Sequence, residues 1–288
     1  MQHHKPILIV GMARSGTTLV SHILCGLPGV HMEEEPHALW KSGNYKYFND
    51  EEYDITPSVK NYIRKKLTEN LGNKTLVEKS PINTLRPDLV HAVFPEAKIV
   101  YVERDPVRCI YSNYSCSLKK ESFKMSIILK KYFLYAGTRE LPGAISYRKL
   151  FQQISLKDVP HFFHYTGKMF YLRQFGTLPY GPKLKNFKQI VKDKGLIGYH
   201  AEVYKRALQY KLRYIELFGD KLEVFKMEDI MAHPEEIKRM VEFVEIPYPE
   251  KWGEEIRKSF SEERVRSSAK KRSEDKEIEA LLVEPGLI

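Results

Sequence analysis

The feature that most constrains this chain is a four-residue apolar run, Ile7 to Val10, that ends directly in Gly11-Met12-Ala13-Arg14-Ser15-Gly16-Thr17-Thr18. A short continuous apolar run suits a strand buried on both faces of a parallel sheet. Behind the loop, Leu19, Val20, Ile23, Leu24 and Leu27 recur at helical spacing, and Gly26 and Pro28 end the element. Strand, glycine-rich loop and helix in this order aim successive backbone N–H groups into one concavity at the positive end of a helix, which suits phosphate. The loop has the outline of G-x-x-x-x-G-K-S/T, but Thr17 stands where the lysine belongs. ATP-dependent phosphoryl transfer uses that lysine on the β- and γ-phosphates. Here the only cation in the loop is Arg14. Such a loop can cradle one phosphate and set a guanidinium beside a leaving oxygen, but it is poorly equipped for ATP hydrolysis.

The rest of the chain repeats the alternation. Strands are predicted at Thr75 to Val77, closing on Glu78-Lys79-Ser80-Pro81, at Lys98 to Val102, and at Leu222 to Phe225. Helices are predicted from Arg86 to Phe94, from Asp105-Pro106 (an N-cap and N1 pair) to about Ser117, and from near Pro234. The pattern predicts an α/β fold of three layers, P-loop-like, with a central parallel sheet flanked by helices. At roughly 150 residues per domain, 288 residues allow one or two domains, and the reading is a single one over 1–288. Residues 120–200 stand apart within it. They carry 15 of the 47 Lys and Arg residues, only 4 of the 37 Asp and Glu, and 15 of the 34 aromatics. A cationic, aromatic-rich insertion of short helices and loops is expected there, with turns at Pro142-Gly143, Pro179-Tyr180-Gly181-Pro182 and Gly195. The polar run from Glu262 to Glu279 reads as a mobile loop unless a ligand orders it.

Several classes are excluded. Three cysteines (Cys25, Cys109 and Cys116) with no C-x-x-C spacing make neither a disulfide framework nor a cysteine zinc site. No apolar run reaches the roughly 18 residues of a membrane span. With no secretory leader visible, the expected compartment is the cytoplasm. Metal ligation by His161 or His164 is not expected.

A second anion-binding element follows the third predicted strand. Arg104-Asp105-Pro106-Val107-Arg108 would lie outside the strand's carboxyl end, where ligands of open α/β sheets bind, with Ser112 eight residues beyond Arg104. Arginine contacts phosphate in a bidentate manner, and a hydroxyl on the next helix adds a donor. Two separate phosphate sites without a P-loop lysine describe a nucleotide phosphorylated at both the 3′ and 5′ positions. At these residues the sequence resembles the sulfotransferases that use 3′-phosphoadenosine-5′-phosphosulfate (PAPS), in the bacterial and tyrosylprotein-type branch. Pro6 to Leu19 resembles their 5′-phosphosulfate loop in its arginine form, and Phe94 to Pro106 with Ser112 resembles their 3′-phosphate element.

The resemblance implies a role for each position. Arg14 and the amides of Ser15, Gly16, Thr17 and Thr18 would hold the 5′-phosphosulfate; Arg104 and Ser112 would hold the 3′-phosphate. Lys79 would sit near the transferring sulfuryl group, unless it is a solvated strand-end lysine. Ser267, Ser268 and Lys270 fall where the family closes a loop over the nucleotide. Glu35 lies 21 residues after Arg14, the spacing of the catalytic glutamate in tyrosylprotein-type enzymes, and is the leading general base; Glu34 and His37 remain rivals. The implied reaction transfers a sulfuryl group from PAPS to a hydroxyl or amine, with 3′,5′-adenosine bisphosphate (PAP) as product and no metal. The expected acceptor is a polar small molecule or natural product, acidic or zwitterionic to suit the cationic insertion; carbohydrate, lipid or tyrosine acceptors are the alternatives. More remote readings are a divergent ATP-dependent P-loop kinase and a polyanion-binding protein; nucleic acid is not an expected partner.

Overall fold

In a computed structural model that describes residues 5–118, 155–175, 178–247 and 274–282, the apolar runs become a parallel sheet. Its strands are β1 (Ile7–Val10), β2 (Val30–Glu34), β3 (Thr75–Lys79), β4 (Lys98–Glu103) and β5 (Leu222–Lys226). They lie in the order β2-β3-β1-β4-β5, all parallel, with Ile9 paired to both Lys79 and Val100. The chain adds strands on one side of β1 before it crosses to the other. The crevice beyond the carboxyl ends of β1 and β4 is therefore the topological switch point, where α/β sheets bind ligands.

Side chains alternate between the two faces of each strand, and both faces are covered. Helices α1 (Thr17–Cys25), α8 (Met227–Ala232) and α9 (Pro234–Phe243) pack on Ile7, Ile9, Val77, Val100, Val102 and Phe225. Against the opposite face, Leu8, Val10, Leu76, Ile99 and Tyr101 meet α2 (His37–Trp40), α3 (Pro57–Thr68), α4 (Pro87–Val93) and the long helix α7 (Phe187–Phe218). The three-layer α/β expectation is met. Helix α5 (Pro106–Leu118) starts where the Asp-Pro pair predicts it, with the Asp105 carboxylate accepting from the Arg108 amide at 2.9 Å.

Two expectations need correction, and one strand was not expected. β3 runs on through Glu78 and Lys79, so these two belong to the strand and not to the turn after it. Glu33 and Glu34 end the edge strand β2, whose alternation is confined to two apolar residues, Val30 and Met32, too short a run to mark a strand by itself. Within the polar stretch assigned to a loop, Asp275–Leu282 forms helix α10, which docks Ile278 against Ile110 of α5 and Ile197 and Ala201 of α7. Residues 262–273, with Ser267, Ser268 and Lys270, lie outside the described residues.

Of the 120–200 segment, residues 119–154 and 176–177 lie outside the description. The described part holds α6 (Val159–Phe175) and the first half of α7, which runs on to Phe218 with a break at Gly195, φ 68°. α6 is tied to the segment after α2 by the Asp158 carboxylate, which accepts from Ser42 Oγ at 3.0 Å and the Gly43 amide at 2.9 Å. Nearby, Asp50 gathers three cations in the interior: Arg86 Nη2 at 2.7 Å, Lys183 Nζ at 3.2 Å and Lys41 Nζ at 3.7 Å. Burial favours the neutral acid, but Lys183, Arg86 and Lys41 outweigh it and hold the Asp50 carboxyl well below the usual range. Removing one partner of a buried ion pair leaves an uncompensated charge, which costs about 3–5 kcal/mol. Asp50→Ala is expected to destabilise the protein by that amount in urea unfolding, while Glu51→Ala, whose partner Arg206 is exposed, costs about 1 kcal/mol or less.

Candidate active site

The first turn of α1 supplies backbone donors. Gly16 caps the helix at φ 105° with no side-chain cap, and the amides of Gly16, Thr17 and Thr18 have no acceptor among the described residues. These orphan N–H groups sit at the positive end of the helix dipole. The loop is drawn tightly onto the sheet. A Cβ on Gly11 would collide with the Val102 carbonyl of β4, and one on Gly16 with the Met227 side chain of α8. Asn113 Nδ2 holds the Ala13 carbonyl at 2.7 Å, and the Gly11 amide donates to Thr84 Oγ1 at 3.2 Å. Asn113, Thr84 and Met227 carried no signal of their own in the sequence, because each acts by meeting a backbone atom far away along the chain.

The two arginines singled out from the sequence come together across the crevice. Arg104 Nη1 donates to the Arg14 carbonyl at 2.9 Å, and Arg14 Nε donates to Ser112 Oγ at 3.0 Å. Their pairing is unlike that of other arginines. Among the described side chains, Arg64, Arg86, Arg206, Arg213 and Arg239 each meet a carboxylate. Arg14, Arg104 and Arg108 have no carboxylate partner among the described residues, and the first two meet in the crevice. Burial, with Arg108 and Arg14 adding repulsion, lowers the Arg104 pKa, although a guanidinium stays charged at any ordinary pH.

Opposite these groups the ends of β2 and β3 bring a second cluster. Lys79 is 1% exposed, so it is not a solvated strand-end lysine. Its Nζ lies 2.6 Å from Glu35 Oε1, 3.1 Å from Glu34 Oε1 and 3.3 Å from Thr18 Oγ1, which ties the cluster to α1. His37 Nε2 approaches the other oxygen of Glu35 at 3.4 Å. Parallel pairing sets this up: Glu34 lies beside Lys79 in register, and the Glu35 amide donates to the Lys79 carbonyl at 2.8 Å. Glu35 then turns the chain at φ 53°, and Arg14 adopts φ 71°. Among the described residues, two of the three non-glycine residues in left-handed conformation thus lie in the crevice, and strain of this kind collects at functional sites. The site residues read from the sequence form two adjoining groups: Arg14, Arg104 and Ser112 in one, and Lys79, Glu35, Glu34 and His37 in the other, with Thr18 between them.

Burial alone would raise the Glu35 pKa, but His37 and Lys79 outweigh it and bring the carboxyl down from 4.5 to about 2. Beneath it, burial raises Glu78 to about 7 while its carboxylate accepts from Trp40 Nε1 at 2.8 Å. Among the described residues no group of three or more His, Cys, Asp or Glu side chains could hold a metal ion, and no helix is long and apolar enough to cross a membrane.

With this geometry in place, comparison with known proteins is informative. Residues 6–141, which hold both groups of crevice residues, match the model of the sulfotransferase family. No curated protein gives a significant sequence match. Solved structures similar to this one include three sulfotransferases. The sulfotransferase domain of the curacin biosynthetic pathway is 16% identical, with TM-score 0.45 over 86% of this chain and 76% of that one. Mouse sulfotransferase SULT7A1, complexed with PAP, is 13% identical, with TM-score 0.43 over 99% and 74%. The sulfotransferase domain of the Synechococcus PCC 7002 olefin synthase is 12% identical, with TM-score 0.47 over 100% and 93%. At these values the likenesses carry no argument about the site.

A lowered carboxyl pKa means that the ion pair contributes fully above the unfolded value near 4.5 and is lost as pH falls toward 2. Lys79→Met removes one of the charges responsible. Carboxyl-carbon NMR of the variant is expected to show Glu35 titrating at least about one unit higher than in the parent protein.

Proposed function

We propose that the protein transfers a sulfuryl group from PAPS to a hydroxyl or amine of a polar small molecule. The observation that carries this reading is the pair of arginines, Arg14 and Arg104, without carboxylate partners among the described residues beside the unsatisfied amides of α1. A guanidinium left without a carboxylate next to free N–H donors is arranged for an external anion. The crevice has two such places, and the loop lacks the lysine that ATP chemistry requires. Arg14 with the amides of Gly16, Thr17 and Thr18 would take the 5′-phosphosulfate, with Ser15 completing the loop; Arg104 and Ser112 would take the 3′-phosphate.

In the reaction the acceptor oxygen or nitrogen forms a bond to sulfur while the bond from sulfur to the bridging phosphate oxygen breaks. PAP departs with that electron pair, and the acceptor proton passes to Glu35. At about 2 the carboxyl is a weak base. A sulfuryl group beside Lys79 would compete for the ammonium and add negative charge near Glu35, and both effects raise its proton affinity. Arg14 and Lys79 would stabilise charge developing on the bridging and outer oxygens. The leaving group is a phosphate already paired to cations, so the step calls for no metal. His37 would steady the second oxygen of Glu35, and Glu34 would share the Lys79 charge, which favours Glu35 over both as the base.

The acceptor reading rests on the cationic composition of residues 120–200, which we propose form much of its pocket or lid within one domain. An acidic or zwitterionic molecule suits that charge, and a cytoplasmic setting is consistent with it.

Calorimetric titration with PAP, and separately with ATP and Mg²⁺, tests the donor. Metal-independent PAP binding is expected, weakened roughly tenfold or more in Arg104→Ala, which loses a charge-assisted contact. A preference for ATP with Mg²⁺ would overturn the reading.

A further inference from the structure

The Pro179-Tyr180-Gly181-Pro182 turn has no part in the reaction as derived so far, yet the fold holds it against the phosphate loop. Gly181, at φ 80°, brings the turn to the Ala13 side chain and to Asn113 Oδ1, and a Cβ there would stand 3.4 Å from each. The Tyr180 amide donates to Ser117 Oγ at 3.0 Å, and Ser117 is itself joined to buried His200 at 2.7 Å. On the far side, the Pro182 carbonyl accepts from Tyr199 Oη at 3.0 Å, and the Lys183 amide donates to Asp50 at 2.8 Å. Three hydrogen bonds, to α5, to α7 and to the segment that carries Asp50, fix so short a turn far more firmly than a connecting loop requires.

The turn delivers one side chain to the crevice. Half-buried Tyr180 feels the charges of Arg14, Glu35 and Lys79, which belong to both groups of site residues. With its backbone held at Ser117 and its neighbour Gly181 against Ala13, Tyr180 is near enough to the crevice for both groups to act on its phenol. We propose that the hydroxyl of Tyr180 is a binding group for the sulfuryl end of the donor, donating a hydrogen bond to a sulfuryl oxygen. Burial raises the phenol pKa, so the hydroxyl keeps its proton and acts as a donor through the neutral range.

The inference rests on PAPS being the donor, and its test separates the two questions. PAP and PAPS share every group except the sulfuryl. Wild type, Tyr180→Phe and Tyr180→His are titrated with each ligand in the cold. Loss of a hydrogen bond to a charged group is expected to raise the PAPS dissociation constant of Tyr180→Phe about five- to twentyfold. PAP affinity should stay within about twofold, because PAP lacks the contact. Tyr180→His, which retains a donor, should recover part of the preference for PAPS. Equal weakening of both ligands would mean that the residue only supports the loop, and no change in either would mean that it touches nothing; each result overturns the proposal. Wild type that binds neither ligand would instead defeat the donor assignment itself.

Discussion

The Lys79 ammonium is the interaction on which the catalytic end of the molecule depends. It is buried at the ends of β2 and β3, bound to Glu35 and Glu34 on one side and to Thr18 of α1 on the other. A buried ammonium is costly to leave unpaired, so the glutamates cannot swing away without replacement. That requirement brings the end of the edge strand over the first helix and presses Glu35 into a left-handed conformation at φ 53°. A buried ion pair of this kind adds little net stability compared with an apolar pair. Its value is better understood as geometry, because it positions a carboxylate, an ammonium and free backbone donors around one space.

Much of this was legible in the sequence, and what was missed has a common physical origin. The apolar runs of β1, β4 and β5, and the Asp105-Pro106 start of α5, are local patterns, and the structure follows them. The phosphate loop was equally clear, since glycines at 11 and 16 are what its close approach to Val102 and Met227 demands. β2 was not legible because its five residues are half-buried and only Val30 and Met32 are apolar, so its place in the sheet comes from pairing with β3 more than from its own pattern. Three adjacent glutamates therefore suggest a solvated turn until Lys79 is seen among them. Helix α10 was hidden for a related reason: only Ile278, Leu281 and Leu282 mark its buried side, in a run otherwise made of charged residues and one alanine.

The Asp50 cluster shows the same limit in the interior. Asp50, Lys41, Arg86 and Lys183 come from four separate stretches of chain, so no spacing rule could join them. Once joined, they lock the segment after the site glutamates to the start of α4 and to the turn that carries Tyr180. The edge of the crevice is therefore braced by charge rather than by apolar packing alone, and a braced frame can keep strained residues such as Glu35 and Arg14 where they are.

The contrast among the arginines gives this arrangement its functional direction. Five of the described arginines end on carboxylates, but Arg14 and Arg104 are tied by a carbonyl and a hydroxyl instead. Those bonds fix the guanidinium groups in place without neutralising them, and the like charges repel at close range in a partly buried setting. The folded protein tolerates that repulsion because the Asn113, Thr84 and Val102 contacts hold the loop independently of charge. An anion that enters the crevice relieves the repulsion and gains hydrogen bonds to donors already in position, so its binding requires little reorganisation.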